Sequence, residues 1–184
     1  MTPPSPNADS VILVNNNDQP IGTMDKIQAH ILGVLHRAFS VFIFDTLYNP
    51  SRLLLQKRAA TKYHCAGLWT NTCCSHPRMH ETVLDAGHRR LAEEMNLSIP
   101  LIHQGHFVYK AVCPNGLIEH EFDHVLVGQS DNTQCIPNPT EVSEVRWESL
   151  PIIHQELASM PHIYTPWFAQ ALHIALNGNQ CSDI

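Results

Sequence analysis

The chain has 184 residues, 43% of them hydrophobic, and carries a formal charge of −6 with only 11 Lys and Arg residues. This balance disfavours a nucleic-acid partner, because neutralising phosphates requires a basic patch. No apolar run approaches the roughly 18 residues of a membrane helix, and the N-terminal MTPPSPNADS lacks the pattern of a secretory signal. We therefore expect a cytoplasmic protein with neither a nucleic-acid nor a membrane partner.

Strands dominate the first third of the chain. Residues 10–15, SVILVN, predict the first strand, and the turn formers NNDQP follow it. The run RAFSVFIFD at 37–45 is rich in β-formers and predicts a second strand, with LLLQKR at 53–58 as its hairpin partner. These three segments predict a sheet early in the chain.

A helix is predicted over residues 80–96. An apolar stripe repeats there at helical spacing and comprises Leu84, Gly87, Leu91 and Met95. Two pairs of opposite charge lie four residues apart, Arg89 with Glu93 and Arg90 with Glu94. Asn96 is the predicted C-terminal stop of this helix.

The second half of the chain predicts a hairpin followed by a strand and two helices. HFVYKAVC at 106–113 and LIEHEFDHVLVGQ at 117–129 flank Pro114-Asn115-Gly116, a strong turn signal. The later elements are a strand over 144–150 and helices over 151–159 and 165–176, the last of which opens with Pro166.

Together these elements predict an α+β fold, with a mixed or antiparallel β-sheet core flanked by helices. We expect a single domain over residues 10–177, a disordered N-terminus over 1–9 and a C-terminal tail over 178–184. The pattern leaves open whether the protein is a monomer or a weak dimer.

Carboxylates and imidazoles form a candidate metal site. Residues two apart on a strand share a face, so Glu119, Glu121 and Asp123 lie together, and stacked carboxylates repel unless solvent or a cation separates them. The other candidate ligands are the imidazoles of His30, His36 and His76. Such a mixed set suits a divalent transition metal such as Zn, Mn or Fe. The alternative is an exposed polar strand face.

The segment Cys73-Cys74-Ser75-His76 has three interpretations. A redox pair is disfavoured because adjacent cysteines close a strained ring. A structural zinc site needs a second close pair of ligands, and neither Cys65 nor Cys113 supplies one at a familiar interval. The third interpretation is one catalytic thiol beside a metal-bound histidine, against the alternative that the thiols only fill the core. Because the 6 cysteines show no disulfide framework, reduced thiols are expected.

Residues 79–97, MHETVLDAGHRRLAEEMNL, resemble a degenerate Nudix box. The positions that match its intervals are Glu81, Arg89, Leu91, Glu93 and Glu94. Ser75 stands at the leading glycine position, and Arg90 replaces the first glutamate of the core motif. These departures count against Nudix hydrolysis of a diphosphate linkage, which stays the alternative enzymatic function. A non-catalytic, metal-stabilised binding module is a third possibility.

A more specific resemblance covers nearly the whole chain, from about Val11 to Leu176. The segments TMDKIQAH, LHRAFSVFIF, LLLQKRA, GLWTNTCCSHP, RRLAEEMNL, IEHEFDHV and TPW occur together and in this order. This ensemble resembles the type I isopentenyl-diphosphate isomerases, which have a Nudix-like fold. The resemblance implies interconversion of isopentenyl and dimethylallyl diphosphate in isoprenoid biosynthesis, by protonation and deprotonation.

The resemblance also implies roles for particular residues. The ligands of one Zn²⁺ or Mn²⁺ ion would be His30, His36, His76, Glu119 and Glu121. Cys74 and Glu121 would be the proton-transferring pair with Tyr109 in support, whereas Cys73 would be a bystander. In HILGVLH the interval between the first two histidines is one residue shorter than the family pattern, which predicts a different local loop.

The diphosphate end of the site follows from the same resemblance. Glu94 and the backbone carbonyl of Cys74 would hold a Mg²⁺ ion that bridges the diphosphate. The residues that would contact the substrate are Lys26, Arg58 and Lys62 at the diphosphate and Trp167 at the hydrocarbon. The implied partner is therefore a small-molecule diphosphate.

Overall fold

A computed structural model describes residues 10–131 and 135–178 of the chain. The strands are β1 (Ser10–Val14), β2 (Pro20–Asp25), β3 (His36–Phe44), β4 (Arg52–Arg58), β5 (Trp69–Thr70), β6 (Cys73–Ser75), β7 (Ile102–Val112), β8 (Ile118–Gln129) and β9 (Val142–Ser149). The α-helices are α1 (Lys26–Leu32), α2 (Val83–Met95), α3 (Leu150–Ser159) and α4 (Phe168–Asn177). The predictions for residues 1–9 and 179–184 lie outside the described residues.

All of these strands belong to one mixed sheet around β3. This strand pairs antiparallel with β1, β4 and β6 and parallel with β8. β8 also forms the predicted hairpin with β7, and β9 pairs with β4. The β3–β4 hairpin is confirmed, with Phe44 opposite Leu53. The predicted α+β class with a mixed sheet is therefore confirmed.

The helices cover opposite faces of the sheet because the buried side chains of β3 alternate between two cores. Phe42 and Phe44 belong to one core, which also contains Phe168 and Leu172 of α4. Val41 and Ile43 belong to the other, where the residues contributed by α2 are Ala86, Leu91 and Met95. A strand buried on both faces accounts for the nearly continuous apolar run in the sequence. No helix in the described ranges has the length and apolar character needed to span a bilayer.

Helix α2 begins later than predicted and ends as predicted. The Thr82 side chain accepts a hydrogen bond from the Asp85 backbone N–H and caps the first turn. Asn96 adopts a left-handed conformation with φ of 54° and terminates the helix. Both predicted pairs of opposite charge form, between Arg89 and Glu93 and between Arg90 and Glu94.

The predicted apolar stripe of α2 is correct at three positions and wrong at one. Gly87, Leu91 and Met95 are buried, but Leu84 in the first turn is 37% exposed. A Cβ on Gly87 would lie 2.5 Å from Leu126 Cδ1, so glycine permits the close approach of α2 to β8. Leu84 lies before this contact begins, which explains its exposure.

Strand β2 and helix α1 were not predicted. The Asp25 side chain accepts from the Gln28 backbone N–H at the start of α1, and Gly33 closes the helix with φ of 62°. This tight left-handed turn returns the chain to β3 within a few residues. It accounts for the short interval between His30, in the last turn of α1, and His36, the first residue of β3.

The C-terminal helices lie close to their predicted positions. α3 begins one residue earlier than predicted, whereas α4 begins at Phe168 rather than at position 165. The reason is that the Thr165 backbone N–H donates to the Trp69 carbonyl at 2.9 Å, which keeps this segment extended beside β5.

The turn between β3 and β4 provides a test of local stability. Asp45 accepts hydrogen bonds from the backbone N–H groups of Thr46 and Ser51, each at 3.0 Å, and from Arg52 at 3.2 Å. Burial opposes ionisation, but the hydrogen bonds, led by those from Ser51, lower the pKa of Asp45 to about 2. We expect Asp45→Asn to reduce the free energy of unfolding at pH 7 by about 1–2 kcal/mol.

The stabilisation of the folded state by Asp45 depends on pH. Because the pKa of Asp45 is lower in the folded than in the unfolded chain, its stabilisation is present above about pH 4 and is lost as the pH falls towards 2. Urea unfolding of both proteins at pH 7 and pH 2.5 measures the difference, with Asp131→Asn at an exposed position as the control. An equal difference at both pH values would show that the charge of Asp45 is irrelevant.

Candidate active site

One cavity of about 520 Å³ collects most of the predicted site residues. The predicted residues that line it are Lys26, Arg58, Lys62, Cys74, His76, Glu119, Glu121 and Trp167. His30 and His36 lie behind this wall in contact with the two glutamates, and Tyr109 donates a hydrogen bond to Glu121. The structure thus brings together elements from distant parts of the chain.

Four candidate ligands converge near strand β3, which pairs parallel with β8 and antiparallel with β6. The register places His36 opposite Glu121, and His36 Nε2 lies 3.5 Å from Glu121 Oε1. His76 follows β6 directly, and its Nε2 lies 3.0 Å from the same oxygen. The His30 ring centroid lies 4.8 Å from that of His36. One donor atom from each of these residues lies within 4.8 Å of the others, so the group could hold a metal ion.

Glu119 extends this group and brings in a histidine that the sequence analysis missed. Its Oε2 lies 3.3 Å from His30 Nε2, and its Oε1 lies 2.7 Å from His64 Nδ1. The His64 ring also stacks on that of His30 with centroids 5.3 Å apart. The intervals between His64 and the other histidines match no metal-binding motif. The one indication of its role in the sequence is its position shortly before the LWTNTCC segment.

The orientation of the donor atoms fits a metal ion. His30 Nδ1 faces the Lys26 carbonyl at 2.6 Å and His36 Nδ1 faces the Val34 carbonyl at 2.8 Å, which turns both Nε2 atoms inwards. His36 Nε2 is buried without a hydrogen-bond partner among the described residues, although it lies 3.5 Å from Glu121 Oε1. Buried lone pairs without donors are costly unless they share a cation. The residues present therefore fit a divalent transition metal.

The protonation states in the cluster suit both metal binding and proton transfer. Burial lowers the pKa of His76 to about 4, which leaves this imidazole neutral near pH 7. Burial opposes ionisation of Glu121, yet the His36 and His76 imidazoles hold the pKa of this carboxyl well below its usual range. Tyr109 Oη donates to Glu121 Oε2 at 2.6 Å, and burial together with Glu121 raises the pKa of this phenol well above 10.

The two neighbouring thiols have different environments. Cys74 lines the cavity and lies 3.5 Å from Arg58 Nη1, whereas Cys73 is fully buried in the core beneath α2. The difference follows from strand geometry, because successive residues of β6 point to opposite faces. Burial raises the pKa of Cys74 to about 12, against the opposing effect of Arg58, so the thiol is protonated near pH 7.

Asn71 of the WTNT segment holds strand β6 in place. The Asn71 side-chain amide donates to the Cys73 carbonyl at 2.6 Å and to the Val41 carbonyl at 3.2 Å. Its Oδ1 accepts a hydrogen bond from Trp167 Nε1 at 3.3 Å. Asn71 is fully buried, so one amide positions both β6 and the indole at the cavity wall.

The cavity wall is rich in positive charge although the protein as a whole is acidic. Six of the 11 Lys and Arg residues line it, namely Lys26, Arg58, Lys62, Arg78, Arg89 and Arg90. Arg78, Arg89 and Arg90 were not predicted as ligand contacts, and the charge pairs within the helix accounted for the last two. Such a concentration favours a ligand with several negative charges.

The predicted Mg²⁺ ligand Glu94 is less accessible than expected. Its side chain is 1% exposed, and its carboxylate contacts Arg90, Gln56 Nε2 at 3.3 Å and Lys62 Nζ at 3.9 Å. Metal binding at Glu94 would require Arg90 to give up this contact. The role of Glu94 therefore stays a prediction.

Comparison with known proteins confirms the fold. The NUDIX domain family model matches residues 34–169. A solved structure of a Deinococcus radiodurans protein matches with a TM-score of 0.64 at 17% identity, covering 82% of this chain and 90% of the other. A MutT protein from Methanosarcina mazei matches with a TM-score of 0.60 at 14% identity, covering 77% and 92%. The chain therefore has the Nudix fold.

Curated relatives identify the family within the Nudix fold. Isopentenyl-diphosphate Delta-isomerase 2 of Photorhabdus laumondii is 48% identical over 174 residues, which is 95% of this chain and 94% of the relative. Isopentenyl-diphosphate Delta-isomerase 1 of Aromatoleum aromaticum is 52% identical over 159 residues, or 86% and 88%. The chain belongs to the isopentenyl-diphosphate Delta-isomerase family and is an isomerase. The resemblance seen in the sequence is confirmed at the level of family and enzyme class.

Proposed function

We propose that this enzyme interconverts isopentenyl diphosphate and dimethylallyl diphosphate, with Cys74 and Glu121 as the proton-transferring pair. The observation that carries the proposal is one cavity that contains a protonated thiol, an ionised carboxylate and a cationic wall. A thiol that can give a proton and a carboxylate that can take one match a reaction that adds a proton to one carbon and removes one from another.

The reaction transposes a C=C bond without net gain or loss of atoms. In the protonation state described above, the Cys74 thiol gives a proton to one terminal carbon and Glu121 takes a proton from the carbon two bonds away. The resulting thiolate lies beside the Arg58 guanidinium, which stabilises its charge. If a proton moves from Cys74 to Glu121 before substrate binds, the roles are reversed: Glu121 gives the proton and the Cys74 thiolate takes one. Tyr109 holds Glu121 Oε2 in either case.

The carbon skeleton carries positive charge between the two proton transfers, and Trp167 is suited to stabilise it. The indole lines the cavity and is 3% exposed, with Nε1 fixed by Asn71. A desolvated cation over an aromatic face gains about 2 kcal/mol. We therefore assign Trp167 to the hydrocarbon end of the substrate.

The cationic residues of the wall would bind the diphosphate. Arg58 at the end of β4, Lys62 in the loop after it and Lys26 at the start of α1 all line the cavity. The bidentate guanidinium and the two ammonium groups suit diphosphate oxygens. We propose that Glu94 and the Cys74 carbonyl would hold a Mg²⁺ ion once Arg90 has moved, and that this ion would supply further positive charge for the diphosphate.

We propose one Zn²⁺ or Mn²⁺ ion at the histidine and glutamate cluster. Its ligands would be His30, His36, His76, Glu119 and Glu121. When bound, such an ion orients Glu121 and tunes its acidity. His64 would hold the second oxygen of Glu119 from outside the ligand set, at 2.7 Å.

A direct assay tests the proposed function. Isopentenyl diphosphate is incubated in D₂O with the purified protein, Mg²⁺ and either Zn²⁺ or Mn²⁺, and followed by ¹H and ³¹P NMR. We expect dimethylallyl diphosphate to form with deuterium incorporated and the diphosphate intact. Failure to convert the substrate would disprove the proposal, and release of phosphate would favour Nudix hydrolysis instead.

A further inference from the structure

Two thiols outside the proposed machinery lie in direct contact. Cys65 and Cys113 are separated by 48 residues in sequence, yet their Sγ atoms are 3.1 Å apart. Both side chains are buried, with exposures of 4% and 2%. Neither residue has a role in the proposed reaction, so the contact requires a separate explanation.

The contact lies where a loop of the cavity wall meets the β7–β8 hairpin. Cys65 belongs to the loop between β4 and β5, which also supplies Lys62, Tyr63 and His64 to the wall. Cys113 follows β7 directly, and the hairpin leads from it to Glu119 at the start of β8. The Asn115 side-chain amide also donates to the Tyr63 carbonyl at 2.5 Å. A covalent bond here would fasten the wall loop to the strand that carries the glutamates.

The geometry favours a sulfur–sulfur bond over a second metal site. His64 could complete a His-Cys-Cys group with these thiols. A tetrahedral zinc ion, however, would separate its two sulfur ligands by about 3.7 Å. The observed 3.1 Å is shorter, and His64 Nδ1 lies 4.0 Å from Cys113 Sγ while facing Glu119 Oε1 at 2.7 Å. The third donor is therefore already engaged with the glutamate.

We propose that Cys65 and Cys113 form a reversible disulfide when the enzyme meets a peroxide, and that this bond locks the cavity loop onto the β7–β8 hairpin. The sulfurs must approach by about 1 Å to reach the S–S bond length of ~2.0 Å. The hydrogen bond from the Cys65 thiol lowers the pKa of Cys113, which suits it to be the attacking thiolate.

The oxidation balances with hydrogen peroxide as the oxidant. Cys113 sulfur attacks one peroxide oxygen, the O–O bond breaks, and a sulfenic acid and one water result. Cys65 sulfur then attacks the sulfenic sulfur, the S–S bond forms, and the second oxygen leaves as water. The two thiols supply two electrons and two protons. A dithiol reductant reverses the reaction by thiol–disulfide exchange.

Peptide mapping tests the proposal on the wild-type enzyme. The reduced protein is treated with hydrogen peroxide, alkylated with iodoacetamide and digested with trypsin without reduction. We expect the peptides of residues 63–78 and 111–146 to be joined, with fragmentation locating the bond at Cys65 and Cys113. Cys65→Ser and Cys113→Ser should abolish the link. Cys73→Ser and Cys135→Ser remove thiols from the same two peptides and should retain it.

Thermal unfolding gives a second readout that does not depend on any variant. Closing a loop of this length should raise the Tm of the oxidised wild type by roughly 5–10 °C, and a dithiol should reverse the rise. The proposal is overturned if both thiols stay open to alkylation, or if the link involves Cys74 or Cys135. It is also overturned if the wild type retains an additional equivalent of zinc that Cys65→Ser loses, because the group would then be a metal site.

Discussion

Cys74→Ala should lower kcat for isomerisation by about 10²–10⁴-fold, which is the usual contribution of a side chain that transfers a proton in the transition state. The thiol lines the cavity beside Arg58, and alanine supplies neither the proton nor the thiolate. Initial rates at saturating substrate measure the loss. The substrate KM should change little, because the cationic wall that would hold the diphosphate is intact.

Cys73→Ala is the matched control for this experiment. Its thiol is fully buried in the core beneath α2, so alanine should leave kcat within about threefold while lowering stability by roughly 1 kcal/mol. The opposite pattern, with full activity in Cys74→Ala and none in Cys73→Ala, would contradict the proposal, because the reactive thiol would then lie on the other face of β6. Full activity in both variants would show that neither thiol takes part in catalysis.

Glu121→Gln should reduce kcat by at least about 10³-fold and also reduce the metal content of the purified protein. The carboxylate contacts His36, His76 and Tyr109, so an amide both loses the proton acceptor and weakens the ligand set. Elemental analysis by mass spectrometry measures bound metal, and the NMR assay measures turnover in the same sample. The two readouts separate loss of chemistry from loss of the ion.

Asp123→Asn is the control for this second experiment. Asp123 lies two residues along the same strand and face and accepts a hydrogen bond from Ser40 Oγ at 2.8 Å. Burial and the nearby Glu121 raise the pKa of Asp123 well above its ordinary value, which favours the neutral carboxyl that an amide resembles. We expect near-normal metal content and turnover. If Glu121→Gln behaves like Asp123→Asn, Glu121 is neither ligand nor proton acceptor.

Local patterns predict the parts of the fold whose signals lie within a few residues. The β7–β8 hairpin follows from alternation around Pro114-Asn115-Gly116, and α2 follows from its apolar stripe and Asn96. Helix α1 has only seven residues and depends on the Asp25 cap and the Gly33 turn, so its periodicity is too short to detect. The error at Leu84 has a similar cause, since only the contact with β8 decides which turn of α2 is buried.

The site is predictable where it repeats a family motif and unpredictable where it depends on pairing between distant strands. His36 and Glu121 face each other only because β3 and β8 are parallel, which no local pattern reveals. His64 and the Cys65–Cys113 contact arise in the same way, from a loop that docks on a hairpin. The wall residues Arg89 and Arg90 were explained by their helix neighbours alone, although α2 also presents them to the cavity.

The concentration of cations in one cavity also affects how a substrate reaches the enzyme. With a formal charge of −6 and more than half of its Lys and Arg residues at this wall, the rest of the surface is strongly acidic. A doubly or triply charged anion is repelled over most of that surface and drawn to a single opening, which focuses diffusional encounters. Because the attraction acts across a Debye length of about 8 Å at physiological salt, ionic strength would govern the capture rate more than the chemical step.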